Sequence, residues 1–216
     1  MEIDRPAPGE ELNAGEETIP RPAATVILLR GGAEALELLL VQRNPEARFM
    51  GGAWVFPGGA VDRHEGEGQG ALRAAAVREV HEEAGILLPA ADELVPFSRW
   101  ITPAQVKIRF DTWFYLAKVP PDTAPTVDGS EIVDAGWFEP RQALEAHRTG
   151  ELFMVFPTIK HLEQLAGFAS ADELLTHARG RDVRPVQPRV VMSGETARIL
   201  LPGEPGYEND QTTTEV

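Results

Sequence analysis

The sequence predicts an α/β (α+β) architecture in which a mixed β-sheet is sandwiched between helices. Three observations predict it. Short apolar runs lie on both sides of a single, strongly patterned helix at residues 71–84. An aromatic-rich run, Arg109–Val119 (RFDTWFYLAKV), has the composition of a strand that packs on a core. Helical patterns then cluster after residue 140. Strands around one helix, followed by further helices, can cover both faces of one sheet.

Each element follows from local chemistry. Ala23–Leu29 (AATVILL) is a short continuous apolar run, the signature of a buried strand. Gly31-Gly32 marks a turn, and Leu36–Gln42 (LELLLVQ) returns as a second strand, making a hairpin. A stretch rich in glycine and proline, Asn44–Gly59, separates this hairpin from the helix Ala71–Ala84, which has Gly85 just past its end as a C-terminal cap. Leu94–Ile101 and Arg109–Val119 read as strands, and Ala135–Phe138 as a short one. Arg141–Arg148, Pro157–Ala166 and Ala171–Arg179 read as helices, and Arg189–Met192 with Ala197–Leu201 as a closing hairpin. Residues 1–20 and 203–216 are polar, rich in Glu, Pro and Gly or Thr, and aperiodic. They are expected to be a flexible arm and a flexible tail around a single domain at 21–202, with a helical extension from about residue 150. That extension is expected to cover one face of the sheet, and is a candidate wall of a substrate pocket or a candidate homodimer contact.

Composition narrows the partners. The chain has 216 residues, 43% hydrophobic and 25% charged, an ordinary balance for a soluble domain. No apolar run is long enough to span a bilayer, and the acidic N-terminus lacks the pattern of a secretory signal. With no cysteine, neither a disulfide nor a thiolate metal site is available. A cytoplasmic setting is the expectation. Asp and Glu outnumber Lys and Arg by 34 to 20, a net charge of −14. That field repels nucleic-acid backbones and anionic membranes. An anionic small molecule is compatible with it only where metal ions and a few arginines reverse the local field.

The chemistry concentrates in Arg78-Glu79-Val80-His81-Glu82-Glu83-Ala84-Gly85-Ile86. At about 100° per residue, with Glu79 at zero, Glu82 falls near 300° and Glu83 near 40°. The three carboxylates therefore share an arc of roughly 100°. Ala76, Val80, Ala84 and Val77 fall between about 60° and 160°, forming the adjacent apolar face. His81, near 200°, points away. The cluster is locally unfavourable: Glu79 and Glu83 repel at i, i+4, and Glu82 and Glu83 sit where the helix dipole disfavours negative charge. A hard divalent cation resolves that conflict. An isolated E-x-x-E-E is more often a solvated acidic face paired with an arginine such as Arg78.

The surrounding residues change that balance. The string R-E-V-H-E-E-A-G-I matches R-E-U-x-E-E-x-G-U (U aliphatic), the second half of the Nudix box, and Phe56-Pro57-Gly58-Gly59 resembles the loop that opens it. The chain resembles the Nudix hydrolases over about residues 23–140. The resemblance implies the Nudix fold and hydrolysis of a pyrophosphate bond in a small-molecule diphosphate substrate. It implies Mg2+ or Mn2+ as the cofactor, held by Glu79, Glu82 and Glu83, with the Gly59 carbonyl as a further ligand and Glu82 and Glu83 in catalytic roles. Arg78 is implied to orient a glutamate. One departure stands out. The run from Gly59 to Arg78 is five residues longer than the family's usual spacing, and the position that usually carries the box glutamate, eight before the arginine, falls on Gly70. Glu65 or Glu67, in the insert His64–Gln69, are candidate substitutes.

Members of the family often bring another acid from a distant loop. Glu131, six residues before Trp137, is the candidate here, as metal ligand or general base, with Asp134 and Glu139 as weaker competitors. Arg43, Arg48, Gly52 and Phe56 stand at the spacing of the motif that precedes the box in coenzyme A diphosphatases, although Asn44 replaces the usual Ser or Ala and Val41 the usual Thr. Arg43 and Arg48 are thus candidate substrate-binding residues, since guanidinium groups grip phosphates bidentately. Trp100-Ile101-Thr102-Pro103 and Arg109–Phe114 are similar to the peroxisomal-type branch, which makes Arg109 a further candidate. Trp54, Phe56, Trp113 and Phe114 are expected in the core rather than stacked on a base. Three functions follow: a hydrolase of coenzyme A or acyl-coenzyme A; a hydrolase of NADH, ADP-ribose or a nucleotide sugar; or a non-catalytic ligand sensor on the same fold. Retention of all three helix acids argues against the sensor.

Overall fold

The computed structural model describes residues 2–3, 12–13, 17–88, 90–193 and 196–208. Its strands are β1 (Glu2–Ile3), β2 (Arg21–Arg30), β3 (Glu37–Arg43), β4 (Trp54–Val55), β5 (Gly58–Ala60), β6 (Val95–Ile101), β7 (Phe110–Lys118), β8 (Ile132–Phe138), β9 (Pro185–Val186), β10 (Arg189–Ser193) and β11 (Thr196–Leu200). Its helices are α1 (Gly68–Ala84), α2 (Pro140–Thr149), α3 (Phe156–Leu165) and α4 (Ala171–Arg179), with short 3-10 turns at Arg63–Glu65 and Ala91–Glu93. Among the described residues no helix is long and apolar enough to cross a membrane.

The main sheet is mixed. β2 pairs in parallel with β7 from Arg21↔Phe110 to Leu29↔Lys118, and antiparallel with β3 at only Leu29↔Leu38 and Arg30↔Glu37. Beyond that hairpin end β2 and β3 take different partners. β5 pairs with β2 at Ala23–Thr25, while β4 pairs with β3 at Val41 and Gln42. The segment 54–60 thus bridges two strands that have parted, and this carries Gly58-Gly59 to the surface where α1 lies. β8 covers the other edge of β3, and β6 the outer edge of β7. A separate small sheet orders β1, β11 and β10, the closing hairpin with the N-terminal pair added.

Alternation along β2 divides the core. Ala24, Val26 and Leu28 face one side, with Leu39 and Val41 of β3, and pack on Leu72, Ala75, Ala76, Val80 and Ala84 of α1. Ile27 and Leu29, with Leu38 and Leu40, face the other side and pack on Ala143 of α2, Ile159, Leu162 and Leu165 of α3, and Leu174, Leu175 and Ala178 of α4. Each large side chain so buried stabilises the fold by about 1.5–3 kcal/mol relative to exposure. Both faces of β2 are covered, which is why its sequence is a continuous apolar run instead of an alternating one. The helical segment after residue 150 lies on the second face, where Trp54, Phe56 and Phe114 are also buried; Trp113 is only partly covered.

Two boundaries differ from expectation. α1 begins at Gly68 instead of Ala71, because Gly68 and Gly70 are poor helix formers that give no sequence signal of a helix start. β8 begins at Ile132 instead of Ala135, because the register slips between Gln42 and Arg43 and hides its alternation. Gly85 ends α1 in the left-handed region (φ 66°, ψ 12°), its N–H bonding to the His81 carbonyl, as the sequence anticipates. Parts of the N-terminal segment touch the domain: the Asn13 N–H donates to the Gln105 carbonyl at 2.8 Å, and Leu12 bridges to Val106.

Candidate active site

The helical wheel explains which acids are buried. Glu83, nearest in angle to the Ala76–Ala84 face, is only 3% exposed, Glu79 is partly buried, and Glu82 and His81 are exposed. The Gly58 N–H donates to Glu83 Oε2 at 2.9 Å, and Arg43 Nη1 lies 3.8 Å from Oε1, an ion pair without a hydrogen bond. Burial pushes the Glu83 carboxyl up to about 8; the Gly58 N–H opposes this, Glu79 adds to it, Arg43 opposes it, and Glu131 adds again. Glu79 is also held above the ordinary carboxylate range, chiefly by burial and against its bond from Arg78.

Gly59 meets this cluster through its lack of a side chain. A Cβ there would fall on the Glu79 carboxyl group, so a larger residue would push that carboxyl aside. The Gly59 backbone and the Glu79 carboxyl are therefore neighbours, as a shared ligand site requires.

Arg78 gathers the remaining acids. Its Nη1 donates to Glu79 Oε1 at 2.8 Å and to Glu82 Oε2 at 2.9 Å. Its Nε donates to Glu65 Oε1 at 3.0 Å, and its Nη2 to the Ala60 carbonyl at 3.1 Å. Glu65 is thus the glutamate partner that the longer insert supplies in place of the residue at Gly70. Asp62–Glu65 forms a reciprocal capping box on the 3-10 turn, with the Asp62 N–H donating to Glu65 Oε2 at 2.7 Å, which turns the Glu65 carboxylate towards α1. Burial pushes Glu65 up, but the bonds from Arg78 and Asp62 together bring it below its ordinary value. Glu67 makes no hydrogen bond or ion pair with Arg78.

Glu131 comes from the turn before β8. It is largely exposed, and Arg43 Nη2 donates to its Oε1 at 3.1 Å. Arg43 therefore joins the buried helix acid to the loop acid. Its Nε also donates to the Phe49 carbonyl at 3.3 Å, which ties it to the 44–52 loop. Arg48, in that loop, is exposed and makes no hydrogen bond or ion pair among the described residues. Asp134, within β8, and Glu139, just after it, are exposed; Asp134 accepts the Ala135 N–H and Glu139 precedes α2.

Arg109 is brought elsewhere. It is 4% exposed, and its guanidinium donates to the Thr102 carbonyl at 3.1 Å, the Thr18 carbonyl at 2.6 Å and Glu17 Oε1 at 2.6 Å. Those donors fasten the segment before β2 and the 102–109 turn together. The structure thus joins Glu83 and Glu131 through Arg43, joins Glu79 and Glu82 through Arg78 with Gly59 against Glu79, leaves Arg48 at the rim, and commits Arg109 to an internal network.

The donor set suits a hard cation: carboxylates, the Gly59 backbone close to one of them, and a buried acid whose nearest positive group is out of hydrogen-bonding range. Among the described residues no three acidic or histidine side chains stand in ligating positions, since Arg78 Nη1 lies between the oxygens of Glu79 and Glu82. Sequence reasoning did not single out Asp128 or the contacts of Asn44, which hold the Glu131 turn. The signals were present in Asp128-Gly129, an Asx-turn dipeptide, and in Asp62-x-x-Glu65, a capping box.

Comparison with known proteins shows the family. The NUDIX domain model matches residues 19–155. The chain is similar to "Putative nudix hydrolase 7" of Caenorhabditis elegans, 27% identical over 205 residues, covering 79% of this chain and 68% of that protein. It is similar to acyl-coenzyme A diphosphatase NUDT19 of Homo sapiens, 25% identical over 279 residues, covering 82% and 74%. A solved NUDIX hydrolase from Alicyclobacillus acidocaldarius superposes with a TM-score of 0.66 at 29% identity, over 74% of this chain and 96% of that one.

Proposed function

The chain belongs to the Nudix family and is a pyrophosphohydrolase, and on that premise we propose that its substrate is coenzyme A or an acyl-coenzyme A. The observation that carries this reading is the Arg43–Phe56 segment. Arg43 stands between Glu83 and Glu131, and Arg48, in the same loop, has no hydrogen bond or ion pair among the described residues. Their spacing is similar to that of coenzyme A diphosphatases. The likeness to acyl-coenzyme A diphosphatase NUDT19 supports the same substrate class.

Glu79, Glu82, Glu83 and the Gly59 carbonyl would hold Mg2+ or Mn2+. When bound, the ions neutralise the diphosphate and make an attacking water more acidic. The chain's own groups do the rest. Arg78 keeps Glu79 and Glu82 turned towards each other and is itself held by Glu65. Glu131 accepts the proton from the water whose oxygen attacks phosphorus. The anhydride P–O bond breaks, giving a 3′,5′-bisphosphate nucleotide and a phosphopantetheine product. Arg43 exchanges one carboxylate partner for a phosphate oxygen, and Arg48 meets a second phosphate of the substrate.

The test is phosphate-releasing turnover on coenzyme A, acetyl-coenzyme A, NADH, ADP-ribose, UDP-glucose and diadenosine polyphosphates, each with and without Mg2+ or Mn2+. Metal-dependent cleavage led by the coenzyme A compounds is the expected result. Cleavage led by another member would sink the coenzyme A assignment, and the absence of any turnover in folded protein would favour a ligand sensor.

A further inference from the structure

Glu131 is an exposed acid on a turn, and such a side chain ordinarily samples several rotamers at an entropic cost to any one pose. Its backbone, however, is fixed from both sides. Asp128 Oδ2 accepts the Glu131 N–H at 3.0 Å and the Ser130 N–H at 3.2 Å, and Oδ1 accepts the Ile132 N–H at 3.0 Å. The Ser130 hydroxyl donates to the same carboxylate. Three consecutive amides thus converge on one side chain.

The carbonyl side is held by a different part of the chain. Asn44 Nδ2 donates to the Ser130 carbonyl at 2.7 Å, and the Asn44 N–H donates to the Glu131 carbonyl at 2.8 Å. Asn44 Oδ1 accepts the Glu46 N–H at 2.9 Å, so the side chain is itself pinned. The sheet adds a third constraint. Gln42 pairs with Asp134, but Arg43 pairs with Ile132, leaving Val133 as an extra residue in β8. Such a bulge re-aims the side chains beyond it. Here it brings Asn44, instead of its neighbour, opposite Glu131, and Arg43 Nη2 into contact with the Glu131 carboxylate.

We propose that Asn44 and Asp128 are positioning residues that hold the Glu131 carboxylate against Arg43 and beside the buried Glu83. This rests on the reading of Glu131 as the proton acceptor or a metal ligand. The competing account is that the same bonds merely close a loop.

The full-length chain, assayed on the panel compound it cleaves fastest with saturating Mg2+, separates the two. Asn44→Ala and Asp128→Ala should each lower kcat about ten-fold while KM stays within about two-fold, and Asp128→Asn, which keeps one of the two accepting oxygens, should recover part of the loss. In the Glu131→Gln background neither substitution should lower kcat further, because residues acting through one group do not add. Independently of turnover, Asp128→Ala should speed hydrogen exchange at the Ser130, Glu131 and Ile132 amides about ten-fold and leave α1 unchanged. Wild-type turnover in Glu131→Gln would overturn the Glu131 role and the frame with it. A crippled Glu131→Gln, with unimpaired Asn44→Ala and Asp128→Ala or with losses that multiply, would overturn the frame alone and leave the Glu131 role standing.

Discussion

The two faces of the main sheet bury a histidine and a glutamate in opposite ways. On the face covered by α3, His161 is fully enclosed among Phe56, Phe97, Trp100 and Phe114. Its Nδ1–H donates to the Pro157 carbonyl at 2.7 Å, which leaves Nε2 to accept the Ser98 hydroxyl at 2.6 Å. Both ring nitrogens are satisfied, and the ring is neutral: burial lowers it to about 4, against a small opposing pull from Pro157. On the face covered by α1, Glu83 is nearly as enclosed, yet it has one backbone N–H and a guanidinium just out of hydrogen-bonding range. A buried polar group that is fully paired is part of the packing. One left under-paired beside other acids is held for chemistry.

The largest expected effect lies on the under-paired side. Glu83→Gln keeps the acceptor for the Gly58 N–H but removes the charge, so turnover should fall by about a thousand-fold, roughly 4 kcal/mol of transition-state stabilisation. Thermal stability should hold, since the amide keeps the volume of the side chain and the acceptor for the Gly58 N–H. Turnover within about ten-fold of wild type would place Glu83 with the packing residues and erase the contrast.

His161 should show the reverse. His161→Ala leaves a cavity and an unpaired Ser98 hydroxyl, costing about 2–4 kcal/mol of stability with kcat per folded molecule unchanged. The pH dependence has a definite sign. The folded value of about 4 lies below the unfolded 6.5, so between these the unfolded chain binds more protons. Stability is therefore full above about pH 6.5 and is lost as pH falls towards 4, by on the order of 2–3 kcal/mol. Denaturant melts of wild type against His161→Leu across that window would check it. Parallel curves would show that His161 titrates alike in both states and is not locked neutral.

How much of this contrast the sequence disclosed depends on the range of the signal. The helix acids and their apolar neighbours are an i, i+3, i+4 pattern, so Glu79, Glu82, Glu83 and the cap at Gly85 could be read directly. β2, β3, β6 and β7 carry apolar or aromatic runs and were equally legible. The bulge at Val133 has no local signature, because it is a relation between β3 and β8, and it shortened the expected strand. Arg109 matched a sequence pattern, yet its environment, the Thr18 carbonyl and Glu17, comes from a segment that gives no periodic signal. His161 stands out in sequence only as one polar residue in a leucine-rich helix, and its ring of aromatics arrives from β6, β7 and the β4–β5 connection.

The smallest effect is the most discriminating, because it concerns a residue that belongs to neither extreme. Glu65 is almost fully covered, like His161, but its carboxylate serves Arg78, which in turn serves Glu79 and Glu82. If it belongs with the packing, Glu65→Ala should cost stability and leave turnover alone. If it belongs with the chemistry, loss of a supporting partner should weaken metal use by about ten-fold, at the lower end for such residues. The second outcome is expected: turnover at limiting Mg2+ should drop about ten-fold, recover in part as Mg2+ is raised, and drop less in Glu65→Gln, which keeps one of the two accepting oxygens. Asp62 offers only a 3.9 Å ion pair to Arg78 in compensation, too long to replace a hydrogen bond. A loss that ignores Mg2+ concentration would mean that Arg78 does not set the geometry of Glu79 and Glu82, and that the insert carrying Glu65 only closes the turn before α1.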